Sequence, residues 1–298
     1  MHHYPEKKTM AISTKDISEL RSRTSAGMMD CKKALEEAEG DMERAAELLR
    51  AKGIAKAEKR AGRSTTQGLV NIEAAPDGSR ASIICLTCET DFVARTDNFV
   101  ALAARLASRA AAVGAEDATA LLAAPAEEGA TDTVADLVQR MSGTTGEAVN
   151  LSMAATFAPV EGTVGQYLHH NRQVGVLVEV SGAGARTPEG QALARELAMH
   201  VASADPVAVR PEEIAAELVD RERRIAEEQV AAEGKPEAVR GKIVEGKVRK
   251  FLSERALLEQ PFVKDDKTSV GQVVAAAAKA AGGDLTVVRF ARVRIGES

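Results

Sequence analysis

A chain of 298 residues, 45% hydrophobic and 28% charged, is long enough for about two to three domains with buried cores. Lys and Arg number 39 against 44 Asp and Glu, a net charge of −5, and aromatics make up 3% with no Trp; this argues against a dedicated nucleic-acid binder and against base-stacking platforms. Three cysteines, Cys31, Cys85 and Cys88, do not make a disulfide scaffold, no apolar run reaches membrane-spanning length, and the start MHHYPEKKTM has no apolar signal segment, so a reducing cytoplasm is the expected setting.

Residues 1–13 are expected to be an extension outside the fold, with Met10 a second plausible start. Residues 14–53 predict three short helices. Ile17, Leu20 and Thr24 follow helical spacing behind a Ser13/Thr14 cap, and Thr24-Ser25-Ala26-Gly27 breaks the pattern. Met28, Cys31, Leu35 and Ala38 then form one face of a second helix. Gly40 suits the left-handed position after it, and Asp41 suits the cap of a third helix with Ala45, Leu48 and Leu49 on its apolar face, ended by Gly53. So small a unit buries little surface and is expected to be a recognition module tethered to a larger body. Residues 54–67, IAKAEKRAGRSTTQ, are basic and then polar: a solvated linker, or a basic contact with an acidic partner.

From Gly68 the pattern has period two. Leu69–Ile72 and Ala81–Leu86 predict strands joined by a turn at Pro76-Asp77-Gly78. Asp97 opens a helix to about Val113 with Phe99, Leu102 and Leu106 inward, and shorter helices follow near 116–123 and 132–141. Ala148–Ala158, Gly162–Leu168 and Gln173–Val180 return to strands, and Pro188 opens a helix to about Ser203. Residues 94–111 echo residues 185–202 at an offset of 91, Thr96 matching Thr187 and Leu106 matching Leu197. A duplication predicts two strand-plus-helix subdomains side by side, 68–147 and 148–210 with 256–298, and a crevice between them as a contact surface. Residues 211–255 predict an inserted antiparallel helical hairpin, opened by Pro211, with Ile214, Leu218 and Ile225 facing Val239, Ile243, Val244, Val248 and Phe251 across the turn Gly234-Lys235-Pro236. Val270–Ala280 reads as helix and Leu285–Arg294 as strand.

No phosphate loop, dinucleotide fingerprint, nucleophile elbow, zinc-protease motif or calcium loop is present in the sequence, so no nucleotide, metal or cofactor site and no covalent chemistry are expected. Cys85 and Cys88 form a CxxC within a strand pattern, where residues three apart point to opposite faces. They read as small buried hydrophobes; a thiol oxidoreductase is the rival. His169 and His170, adjacent at a strand end, are expected to face opposite ways, and His200 reads as a satisfied core or boundary residue. Thr90-Asp91-Phe92-Val93-Ala94-Arg95 joins a buried strand to a helix, so it lies at the surface. Its phenylalanine is either tucked back or displayed beside the acid as an anchor for another protein.

Leu20-Arg21-Ser22-Arg23-Thr24-Ser25-Ala26-Gly27-Met28-Met29-Asp30-Cys31-Lys32-Lys33-Ala34-Leu35 closely resembles the N-terminal signature of the bacterial elongation factor Ts family, with Ser25 where many members have Gly. Cys88-Glu89-Thr90-Asp91-Phe92-Val93-Ala94 resembles its second signature; Tyr167-Leu168-His169-His170-Asn171 followed by Val174-Gly175-Val176-Leu177-Val178, and Gln260-Pro261-Phe262-Val263, are further matches in order. The likeness covers about residues 12–295. It implies an α+β fold: a three-helix module like a ubiquitin-associated domain, a two-subdomain core with antiparallel sheets, and an inserted helical hairpin. It implies a guanine-nucleotide exchange factor for elongation factor Tu, the GTPase that delivers aminoacyl-tRNA. In that role Thr90, Asp91, Phe92 and Val93 would disturb the partner's magnesium site, with Phe92 as a wedge. His169, or His170 in its place, would press near the partner's phosphate loop, and Met28, Met29 and Lys32, with Arg21, would grip its GTPase domain. A homodimer through core or hairpin is compatible with this, and an adaptor for ubiquitin-like partners is the alternative use of the three-helix module.

Overall fold

Three helices, α1 (Thr14–Thr24), α2 (Met28–Glu37) and α3 (Met42–Glu58), open the computed structural model, which describes residues 12–24, 26–58, 60, 62–234 and 236–297. The expected extension lies outside the described residues up to position 11, as does Ser25. Ile17, Leu20, Cys31, Ala34, Leu35, Ala38 and Ala45 bury into a small core of their own. Gly40 takes φ 88° and returns its N–H to the Leu35 carbonyl, while Asp41 Oδ1 accepts from the Arg44 N–H at 3.0 Å to start α3. Met28 is not on the inner face: it is 54% exposed, because the buried stripe of α2 begins at Cys31.

The core begins with an antiparallel hairpin of β1 (Gln67–Ala74) and β2 (Ala81–Cys88). A single turn, α4 (Asp91–Ala94), precedes α5 (Asp97–Val113), α6 (Ala118–Ala123) and α7 (Val134–Thr145). Next, β3 (Val149–Phe157) pairs with β2 from Cys88↔Val149 to Ala81↔Phe157, giving the sheet order β1-β2-β3. This moves the expected boundary at 147/148 beyond Phe157. A period-two pattern specifies which face of a strand is buried, not which strand it pairs with.

A second sheet, order β4-β5-β8, contains β4 (Gly162–Leu168), β5 (Val174–Ser181) and the last strand, β8 (Thr286–Arg294). Between β5 and β8 come α8 (Pro188–Ala204), the hairpin α9 (Ala216–Ala232) and α10 (Glu237–Arg255), the short pair β6 (Pro261–Phe262) and β7 (Asp265–Ser269), and α11 (Val270–Ala281). Pro211 opens only a 3-10 turn, Pro211–Glu213, and the hairpin seam is Ala226, Val230, Val244 and Val248, with Ile225 and Val239 exposed. Ala226, one residue past Ile225, is the position of α9 that turns toward α10.

The two halves stack face to face rather than side by side. Val70, Ile83, Cys85, Phe157, Val164 and Leu177 fill the space between the sheets. Alternate residues of the same strands point outward: Ile84, Leu86 and Cys88 into the core under α5, α6 and α7, and Val176, Val178 and Val180 into the core under α8 and α11. The sheets close tightly at Gly175, where a Cβ would stand 2.5 Å from Val70 Cγ1. Gly53 does not end its helix. α3 continues to Glu58, so the first part of the expected linker is helical, and Gly53 is where α3 crosses α7: a Cβ on Gly143 would lie 3.6 Å from the Gly53 Cα. A Cβ on Gly53 itself would meet nothing within 4 Å, so the crossing does not require glycine there, and α3 carries the cost of about 1 kcal/mol that a glycine inside a helix has against alanine.

Candidate partner-binding site

Cys88 ends β2 buried, and the chain then turns outward at Thr90. Thr90 caps α4, its Oγ1 accepting from the Val93 N–H at 3.4 Å. Two residues after α4, Thr96 caps α5 by accepting from the Phe99 N–H, and its hydroxyl donates back to the Val93 carbonyl at 2.8 Å. The single turn is therefore held at both ends. Val93 packs on the helical core and Ala94 is buried, which sends Asp91 and Phe92 the other way. The Phe92 ring is 81% exposed, and the Asp91 carboxylate pairs with Arg95 at 3.1 Å. Phe92 is thus displayed rather than tucked back; the other five phenylalanines are buried or half-buried.

The turn from β4 to β5 stands across from this finger. His169 N–H donates to the Val174 carbonyl at 2.9 Å and Arg172, with φ 56°, donates to the His169 carbonyl at 2.8 Å. Asn171 Oδ1 accepts from the Gln173 N–H and lies 2.6 Å from His169 Nδ1. The turn is stitched to the first sheet: Val70 N–H donates to the Arg172 carbonyl at 2.8 Å and Gln173 Nε2 to the Gly68 carbonyl at 3.1 Å. The two histidine rings do not face opposite ways. They lie 4.2 Å apart, because β4 stops at Leu168 and strand alternation stops with it. His170, Asn171, Arg172 and Gln173 border the same cleft of about 940 Å³ as Thr90, Asp91, Phe92 and Arg95. His169 borders a separate cleft of about 450 Å³ with Tyr167, Met199 and Arg294. An opening between the halves therefore exists at one end of the stacked sheets, with residues of both halves around it.

Met28 and Met29, 54% and 64% exposed, sit at the start of α2 with Lys32 one turn on, and Arg21 is exposed on α1. None of the four borders the finger's cleft. The three-helix module is tied to the core through α7: Arg50 pairs with Asp132 at 2.7 Å and Asp136 at 3.6 Å, and Arg60 donates to the Ser142 carbonyl at 3.0 Å. Glu147, just past the end of α7, accepts from both the Thr90 N–H and the Thr90 hydroxyl. No sequence feature singles it out, since it lies 57 residues from the group it holds.

Cys85 faces the second sheet and Cys88 faces the helices, so the CxxC thiols are on opposite sides of β2. Burial, then the nearby Glu147 carboxylate, pushes the Cys88 thiol up to about 11, and burial raises Cys85. Protonated, separated thiols do not make a redox pair. His200 is fully buried: Nδ1 accepts from the Val263 N–H at 3.2 Å and Nε2 lies 2.9 Å from Gln260 Oε1. Gln260 Nε2 in turn donates to the Ala204 and Glu254 carbonyls, so the Gln260–Val263 motif fastens the hairpin's return to α8. Among the described residues no three His, Cys, Asp or Glu side chains are grouped to hold a metal ion, and no helix is long and apolar enough to cross a membrane.

A family model described as Elongation factor TS matches residues 89–297. The chain is 42% identical over 291 residues to the elongation factor Ts of Nitratidesulfovibrio vulgaris, covering 97% of each chain. It is 40% identical over 286 residues to that of Prosthecochloris aestuarii, covering 96% of this chain and 99% of the relative. It is 40% identical over 292 residues to that of Aquifex aeolicus, again covering 96% and 99%. The likeness takes in the exposed finger, the turn opposite it and both stacked sheets, and the chain belongs to the elongation factor Ts family.

Proposed function

We propose that the protein is a guanine-nucleotide exchange factor for elongation factor Tu in the cytoplasm, acting without covalent chemistry. The observation that carries this is the Phe92 ring, 81% exposed on a turn pinned at both ends. An exposed aromatic on a rigid support is a hot-spot anchor, because little side-chain freedom remains to be lost on docking.

A GTPase holds GDP through a phosphate loop and a magnesium ion that has few protein ligands of its own. Small displacements there weaken nucleotide strongly. Phe92 enters an apolar pocket beside that site on the partner, and Asp91 disturbs the polar network around the ion. Thr90 and Val93 fix the shape of the turn. The β4–β5 turn brings His169 and His170 to the partner near its phosphate loop, His170 from the same side as Phe92. Met28, Met29, Lys32 and Arg21 hold the GTPase domain through a second, separate contact. If the protein weakens GDP by some factor, GDP weakens the protein's own binding by the same factor, so the exchange has no preferred direction and cellular GTP excess supplies one. The test is release of labelled GDP from GDP-loaded elongation factor Tu, with and without added magnesium ion. Acceleration that added magnesium ion opposes is expected; an unchanged release rate contradicts the reading.

A further inference from the structure

We propose that Glu147 is the positioning residue of the finger, the group whose carboxylate holds Thr90 so that Phe92 is displayed in one fixed orientation. The functional part of this inference rests on the exchange reading above.

Every polar group of Thr90 is engaged. Its N–H donates to Glu147 Oε2 at 3.0 Å and its hydroxyl to Glu147 Oε1 at 2.6 Å. Its carbonyl accepts from the Cys88 thiol at 3.1 Å and from the Ala94 N–H at 3.3 Å. A hydroxyl has one proton. With that proton on the carboxylate, the lone pairs are left for the Val93 N–H, which is the direction a helix cap requires. Glu147 therefore sets both the place and the polarity of the cap. This matters because α4 is four residues long, and one isolated turn does not hold itself together in water.

Glu147 is itself fixed. Gly146, at φ 78°, ends α7 and turns the chain back. The Glu147 carbonyl accepts from Ser142 Oγ at 2.6 Å and its N–H donates to Thr145 Oγ1 at 3.3 Å. The partner segment answers in kind: Glu89 Oε1 accepts from the Ala148 N–H at 2.7 Å, a bond that holds the Glu89 carboxyl below its usual range. Where the β2–β3 ladder ends at Cys88↔Val149, two carboxylates thus carry it one step further, each taking the other segment's N–H. The finger leaves from that lock.

The experiment compares Glu147→Ala, Glu147→Gln and Thr90→Val with Thr133→Ala, which removes the distant cap at the other end of α7. In the free full-length protein, amide hydrogen exchange at Val93 reports the clamp. With GDP-loaded elongation factor Tu, GDP release at increasing exchange-factor concentration separates kcat from KM. Glu147→Ala is expected to lose at least tenfold of the Val93 protection and at least fivefold in kcat, with KM within twofold. Glu147→Gln keeps the Thr90 N–H bond through its amide oxygen but turns an NH₂ donor toward the hydroxyl, so its Val93 protection and kcat are expected to fall between wild type and Glu147→Ala. Thr133→Ala lowers the melting temperature with kcat unchanged. Should Glu147→Ala fail to fold, Thr90→Val breaks the same bond from the other side; since it also removes the acceptor of the Val93 N–H, its readout is kcat, expected to fall at least fivefold with KM within twofold. Unchanged Val93 protection or kcat in Glu147→Ala (or unchanged kcat in Thr90→Val where that substitutes for it), or an equal kcat loss in Thr133→Ala, overturns the proposal. If the wild-type protein does not accelerate GDP release at all, the exchange reading fails, while Val93 protection still decides whether Glu147 is the clamp.

Discussion

Thr96 and Thr187 occupy the same place in two copies of one unit. Each accepts from the N–H three residues on, Phe99 at 3.4 Å and Gly190 at 3.2 Å, and each starts a 17-residue helix. The starts (97 and 188) and the ends (113 and 204) of α5 and α8 are each separated by the same 91 residues. Even the terminations agree: Gly114 and Asp205 are both left-handed, at φ 66° and 50°. Aspartate is one of the few residues that tolerates this conformation, and Asp205 uses it to reach Arg292 at 2.8 Å. The same offset sets Asp91-Phe92-Val93 against Gly182-Ala183-Gly184. There the second copy has no finger. A Cβ on Gly182 would stand 2.3 Å from the Asp284 carbonyl oxygen and one on Gly184 2.8 Å from the Ala281 Cβ, so the chain around the end of α11 packs on both glycines while Ala183, opposite Phe92, stays exposed. Both units expose the middle residue of this turn, and only the first places an aromatic ring there, Phe92 against Ala183.

The stacked core depends on close backbone approach at Gly165. A Cβ there would lie 2.1 Å from both the carbonyl carbon and the oxygen of Ala194 on α8, and backbone cannot rotate away. Gly165→Ala is expected to cost about 2 kcal/mol of stability, measured by urea unfolding, while nucleotide exchange per folded molecule stays unchanged.

Cys31, Cys85 and Cys88 are all buried, and Cys88 is pushed up to about 11, mainly by burial. At pH 8 about one Cys88 in a thousand is then thiolate. No thiol is expected to react with a disulfide reagent in the native protein, and all three react once it is unfolded. Rapid native reaction at Cys85 or Cys88 with formation of a disulfide would revive the oxidoreductase rival.

Burial lowers the His200 pKa below its ordinary 6.5, overriding the contact with Gln260. The unfolded chain then binds the proton more readily than the folded one. The resulting contribution to stability is full above about pH 6.5 and is lost as pH falls through the depressed folded value. Melting temperature is expected to decline from pH 7 to pH 5 more steeply in the wild type than in His200→Gln. Parallel declines would mean that this histidine does not carry the pH dependence.

The parts legible in the sequence were those fixed by local chemistry. Asp97 and Pro188 placed the starts of α5 and α8, and Pro76-Asp77-Gly78 placed the β1–β2 turn. Gly53 misled because a single glycine weakens a helix by only about 1 kcal/mol, and α3 runs through it to Glu58 while packing on α7. The β6–β7 pair was invisible because Asp265-Asp266-Lys267-Thr268-Ser269 has no apolar alternation. Whether Phe92 was displayed depended on which side of a four-residue turn Val93 and Ala94 packed against, a tertiary fact. Glu147 was out of reach for the same reason, since its hydrogen bonds span 57 residues.

Nothing in the fold leans on the Phe92 ring, so its removal should leave the melting temperature in place. The decisive measurement is GDP release from elongation factor Tu at saturating Phe92→Ala. A release rate at least tenfold below wild type, about 1.4 kcal/mol of lost transition-state stabilisation, is the expected result. A rate equal to wild type would contradict the account of the ring as the wedge.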